Sequence, residues 1–182
     1  IIDASVFNTL KTDYPEKSIV FDGNDYSLTI KGSDITTLVP NTQQYDLSLT
    51  FSAPEEDKIW NLITDLSQEN WDLEPVYVHF NHHGALPADM KFSISLGQKY
   101  QNSTLYWNYY NEERERIDYY GYVNSNAQGG FALPLTHMST YVVTRKRIVG
   151  AENKVGILGG AVENLSTSYS TGKANPNTGK EQ

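Results

Sequence analysis

The sequence contains no cysteine. It therefore has no disulfide, no thiolate nucleophile and no cysteine-ligated zinc or iron–sulfur centre. Basic residues are also scarce, 14 Lys and Arg against 22 Asp and Glu, for a net charge of −8. A surface of that sign repels phosphate backbones and anionic lipid, which argues against nucleic acid and membrane surfaces as partners. No apolar run approaches the ~20 residues that span a bilayer, so no membrane insertion is expected of this stretch. Ile1 opens the chain without the basic and apolar regions of a secretory leader, and the whole reads as a piece excised from something longer.

What the sequence has instead is aromatic and hydroxyl chemistry. Thirteen Tyr, three Trp and six Phe sit among many Thr, Ser and Asn residues, a mixture that suits strands and extracellular surfaces. At 182 residues and 38% apolar content, the chain can bury one ordinary core.

Two short helices are expected. Val6, Phe7 and Leu10 recur at helical spacing between a capping Asp3 and Pro15. Ser52-Ala53-Pro54-Glu55 has capping-box spacing, and Ile59, Leu62, Ile63 and Leu66 follow at helical intervals, predicting a helix over 55–67. The remainder reads as strand. Ile19 and Phe21, a turn at Asp22-Gly23-Asn24-Asp25, then Tyr26, Leu28 and Ile30 predict a hairpin. Tyr45, Leu47, Leu49 and Phe51 alternate with polar residues as one half-buried strand. Further strands are expected over 76–80, 90–96, 104–110, 117–123, 131–135 and 141–148, separated by turn residues that include His83-Gly84 and Gln128-Gly129-Gly130. Such spacing predicts a mainly β fold, an antiparallel β-sandwich of immunoglobulin-like or related type with two short helices over 1–149. Beyond that, 150–182 turns to Gly, Ser, Thr and Asn and reads as an extension or linker, in which Val155, Ile157, Leu158 and Val162 can supply one more strand.

Near the end lie Asn175, Pro176, Asn177, Thr178 and Gly179. They resemble the NPxTG variant of the sortase recognition pentapeptide, which implies cleavage between Thr178 and Gly179 and transfer to peptidoglycan. Lys180, Glu181 and Gln182 follow, without the apolar helix and basic tail of a full sorting signal. A broader resemblance covers roughly 1–145. The runs Gly84 to Met90, Leu105-Tyr106-Trp107-Asn108-Tyr109-Tyr110-Asn111 and Thr136-His137-Met138-Ser139-Thr140-Tyr141-Val142-Val143 look like a module common near the C-terminus of secreted Firmicutes surface proteins, where three such phrases recur in this order. The resemblance implies an extracellular, wall-attached location and carries no catalytic residues across.

Four residue groups invite a functional reading. His79, His82 and His83, with Asp89 nearby, have the ligand types of a metal site, but alternation puts His79 on the face opposite Val78 and Phe80 while His82 and His83 sit at a turn and point apart, so the group reads as an exposed hairpin end and no metal or other cofactor is expected. His137 precedes a strand and reads as a loop hydrogen bonder. Glu112, Glu113 and Glu115, interleaved with Arg114 and Arg116, fit a solvated turn better than a glycosidase carboxylate pair. Tyr106, Tyr110, Tyr120 and Tyr122 fall on the outward positions of two neighbouring strands and can form a flat aromatic platform for sugar rings. An isopeptide cross-link from Lys91 to a neighbouring asparagine is a further option that the sequence leaves open. No nucleophile–base pair, phosphate loop or metal constellation is recognisable. The expected function is thus a non-catalytic spacer in a Gram-positive surface protein. A carbohydrate-binding module is the alternative, with a glycan or a host or partner surface protein as ligand.

Overall fold

The structure, a computed structural model, describes residues 1–156 and 164–165. In chain order its elements are β1 (Ile2–Asp3), α1 (Ala4–Asp13), β2 (Ser18–Asp22), β3 (Tyr26–Lys31), β4 (Gln44–Tyr45), β5 (Leu49–Thr50), α2 (Glu56–Leu66), β6 (Val76–Ser95), β7 (Thr104–Asn111), β8 (Arg116–Asn124), β9 (Gly130–Thr144) and β10 (Glu152–Asn153). The fold is mainly β with two helices. Strand pairing runs through one eight-stranded sheet in the order β10-β8-β7-β9-β6-β3-β2, with β5 also on β6, while β1 and β4 form a separate ribbon. β10 lies parallel to β8; the other pairs are antiparallel.

The strands expected over 76–80 and 90–96 are one strand, β6, and those over 131–135 and 141–148 merge into β9, which stops at Thr144. The reason is that β6 and β9 pair from Val76↔Val143 to Ser95↔Gly130, and the residues that read as turns are taken up as register shifts between His79 and Gly84 and between Ala85 and Met90. Such bulges bend a strand, and Gly84 adopts φ +130 there, which glycine tolerates. The bend is large. A straight strand would hold Phe80 and Phe92 about 40 Å apart, yet their ring centroids are 5.3 Å apart. The sheet therefore folds back along the β6–β9 ladder, and its two halves enclose a common core.

That core is aromatic at its centre. Trp107 stacks on Tyr141 at 4.7 Å and meets Phe92 and Phe131 at 6.2 Å each. Leu28 and Ile30 of β3, Val78 of β6, Leu105 of β7 and Leu133 of β9 surround them, and Phe7 and Leu10 of α1 belong to the same cluster. A second cluster joins Ile59 and Ile63 of α2 to Tyr77, Tyr110, Ile117 and Val142. Val142 belongs to this cluster while Tyr141 and Val143 belong to the first, so α2 covers the outer face of the β7–β8–β9 half.

Local rules were redirected at three places. The alternating run at 45–51 splits into β4 and β5, paired to different strands. Asp46 Oδ1 accepts hydrogen bonds from Ser48 N and Ser48 Oγ, a local turn that competes with the ladder. Asp3 precedes α1 without a side-chain cap and accepts from Gln44 Nε2 instead. At α2 the reciprocal bond falls one residue later than the capping box predicted, from Ala53 N to Glu56 Oε2 at 3.0 Å.

The β8–β9 connection depends on Gly129. Its φ is +77, and a Cβ there would lie 2.0 Å from the carbonyl oxygen of Gly97. Gly129→Ala is expected to destabilise the fold by more than the ~1–3 kcal/mol of backbone strain alone, read as a lower urea midpoint; an unchanged midpoint would show that the loop relaxes freely.

Candidate functional site

The tyrosines singled out for a platform do not share one surface. Tyr110, 3% exposed, lies beneath α2 and donates its hydroxyl to Glu55 Oε1 at 2.8 Å. Tyr120, 9% exposed, points to the opposite face and belongs to the main core. The cause is a register shift between Trp107 and Asn108, which places Tyr119 opposite Asn108 and Gly121 opposite Trp107 and leaves Tyr120 without a cross-strand partner. Tyr106 and Tyr122 are paired across β7 and β8, half-buried, with ring centroids 6.4 Å apart. Tyr119 lies 6.2 Å from Tyr106, and the Arg147 guanidinium covers the Tyr119 ring at 4.0 Å, a cation–π contact that sequence spacing does not announce. Asn164 bridges to Tyr122, and Leu165 N donates to Tyr122 O.

Burial fixes the protonation of the tyrosines. Tyr77 is pushed up to about 12, mainly by burial and further by the charges of Glu56 and Asp57. Tyr110 is raised by burial, by its hydrogen bond to Glu55 and by the carboxylates around it. Tyr120 is raised by burial, then by Tyr109 and Asp118. These phenols act at neutral pH as neutral hydrogen-bonding and packing groups.

The four histidines of the chain, of which the sequence groups only His79, His82 and His83, all lie where the β6–β9 ladder bends. His79 is opposite Thr140, with Nδ1 and Oγ1 2.8 Å apart. Its ring is 5.3 Å from that of His83. His82 packs on Tyr45 at 5.0 Å, and His137 meets Tyr109 edge-on at 5.7 Å. Among the described residues no group of three or more His, Asp or Glu side chains can hold a metal ion.

The turn Glu112-Glu113-Arg114-Glu115 is exposed. Arg116 leaves it to pair with the buried Asp118 at 2.7 Å, and Asn111 Nδ2 donates to the same carboxylate at 3.1 Å. Lys91 lies on β6 opposite Thr29 and Pro134. Asn175, Pro176, Asn177, Thr178 and Gly179 lie outside the described residues, as do Ile157, Leu158 and Val162.

Two buried polar residues gave no signal in the sequence. Asn70, 1% exposed, follows α2 and ties it to the segment after β9: its Nδ2 donates to Ile63 O and Val149 O, and its Oδ1 accepts from Val149 N. Asn108 Nδ2 reaches Tyr106 O and Val142 O, while Asn108 Oδ1 and Trp107 Nε1 are buried without a hydrogen-bond partner. No protein-family model, curated protein or solved structure matches this chain.

Proposed function

We propose that this chain is a non-catalytic spacer module of a Gram-positive cell-surface protein, placed near the cell wall and joined to peptidoglycan by sortase through the Asn175-to-Gly179 pentapeptide. The observation that most supports the reading is the long β6–β9 ladder, which runs through both halves of the sheet with two register shifts between them. Tension reaching one half is carried to the other through paired backbone and a shared aromatic core, so the unit resists extension as one body. The −8 net charge keeps such a unit soluble and self-repelling.

Single-molecule pulling on the full chain is expected to show one cooperative rupture of the sheet. Stepwise peeling of β2 and β3 ahead of the rest would count against the spacer. Incubation with a sortase of NPxTG specificity is expected to cut between Thr178 and Gly179, and an intact chain would remove the attachment. Retention on a glycan array that is lost in Tyr106→Ala or Tyr122→Ala would replace the spacer with the carbohydrate-binding reading.

A further inference from the structure

The histidines at the bend call for an explanation that load bearing does not supply. His79, His82 and His83 come from β6 and His137 from β9, and they occupy or border the two register shifts that fold the sheet. His79 and His137 are half-buried, His82 is half-buried against Tyr45, and His83 is exposed. His83 is the shared neighbour, 5.3 Å from the His79 ring and within electrostatic reach of His137.

We propose that this bend is an acid-sensitive hinge, in which protonation of His79 and His137 beside His82 and His83 weakens the β6–β9 ladder at its register shifts and loosens the two halves of the sheet.

Three properties of the site favour this. The first is placement: the pairs His79↔Thr140 and Ala85↔His137 flank the first register shift, where ladder hydrogen bonds are already interrupted. The second is the company of like charges: once protonated, these imidazoles repel one another in a partly desolvated site. The third is that, among the described residues, the other groups packed there offer no strong compensation. β9 adds Ser139, Thr140 and Tyr141; β7 and β8 add Tyr109 and Tyr120, with Asp118 acting on both; Asp89 is exposed within the second register shift. The end of β4 and the residue after it bring Tyr45 and Asp46. The Asp46 carboxylate is held below the usual range chiefly by Ser48, with Asn81 and the chain's amino terminus adding to this, so its acceptor sites are already engaged.

Burial, then His83, pushes the His79 imidazole below the ordinary histidine value, and burial, then His83 and His82, does the same for His137. A histidine lowered in this way is protonated first in the unfolded chain. On acidification stability is therefore lost from about pH 6.5 downward, until the pH lies below the folded-state values. Each unit of depression multiplies the unfolding constant by about ten across that window.

The test is a set of urea melts of the full chain from pH 8 to pH 5, combined with NMR titration of the four imidazoles and amide exchange. His79 and His137 are expected to titrate below the ordinary value, and acid is expected to speed exchange over 79–90 and 134–141 before it does so in β2 and β3. His83→Ala changes an exposed residue and leaves the core intact; it is expected to move both midpoints upward and shrink the acid loss. His79→Gln with His137→Gln is expected to flatten the pH dependence further. Ordinary midpoints, exchange that rises uniformly over the sheet, or an acid loss unchanged in His83→Ala would overturn the hinge. None of these outcomes depends on whether the chain serves as a spacer.

Discussion

Trp107→Ala is expected to cost about 3–5 kcal/mol, the range for emptying a fully buried large aromatic site. The residue is 0% exposed and touches both halves of the folded sheet, stacking on Tyr141 of β9 and meeting Phe92 of β6 and Phe131 at the start of β9. Few neighbours can move in to fill the space, because each is pinned in a strand. Since a domain of this size is stable by only about 5–15 kcal/mol, the variant is expected to melt far earlier in urea. Trp107→Phe offers the informative contrast. It keeps a ring in the stack and removes the indole N–H, which is buried without a partner and costs about 1–3 kcal/mol to leave so. Its loss is expected to be a small fraction of the alanine loss. Equal losses in the two variants would show that the stack contributes little.

Asn70→Ala is expected to cost about 2–4 kcal/mol, since it leaves the Val149 N–H and the carbonyls of Ile63 and Val149 to find other partners. The effect is expected to be directional. Amide exchange should rise in α2 and around Ile148 and Val149 while the β6–β9 ladder stays protected. Asn70→Asp keeps the acceptor for Val149 N but sets a buried carboxylate against the carbonyls of Ile63 and Val149, so at neutral pH its loss is expected to equal or exceed that of Asn70→Ala. If Asn70→Ala leaves the urea midpoint and α2 exchange unchanged, the three bonds are not what holds α2 to the sheet.

The elements legible in the sequence were those fixed by their own spacing. Phe7 and Leu10, and Ile59 and Ile63, lie on buried helix faces as their intervals predict, and β2 and β3 form the expected hairpin. Failures occurred where a local signal and a distant partner disagreed. His83-Gly84 carries turn chemistry, yet β9 supplies a continuous partner and the turn becomes a bend. The 45–51 run alternates without fault, yet Asp46 breaks it through bonds to Ser48. Counting in twos along β7 and β8 puts Tyr110 and Tyr120 on one face, but a one-residue register shift sends them to opposite faces. The approach of His137 to His79, His82 and His83 follows from the pairing of β6 with β9, which no local pattern encodes.

The same long-range ladder sets an order of events for a chain emerging N-terminus first. β2 with β3, and β7 with β8, are neighbours in sequence and can close early as local hairpins. The N-terminal end of β6, in contrast, has only the two-residue β5 beside it until the C-terminal end of β9 arrives, because Val76 pairs with Val143. Loop closure of that length is paid before any contact rewards it, which slows assembly. Until β9 arrives, Val78, Phe80 and Phe92 have an incomplete core, so the interval between synthesis of β6 and β9 is when this chain most needs to be kept from other chains.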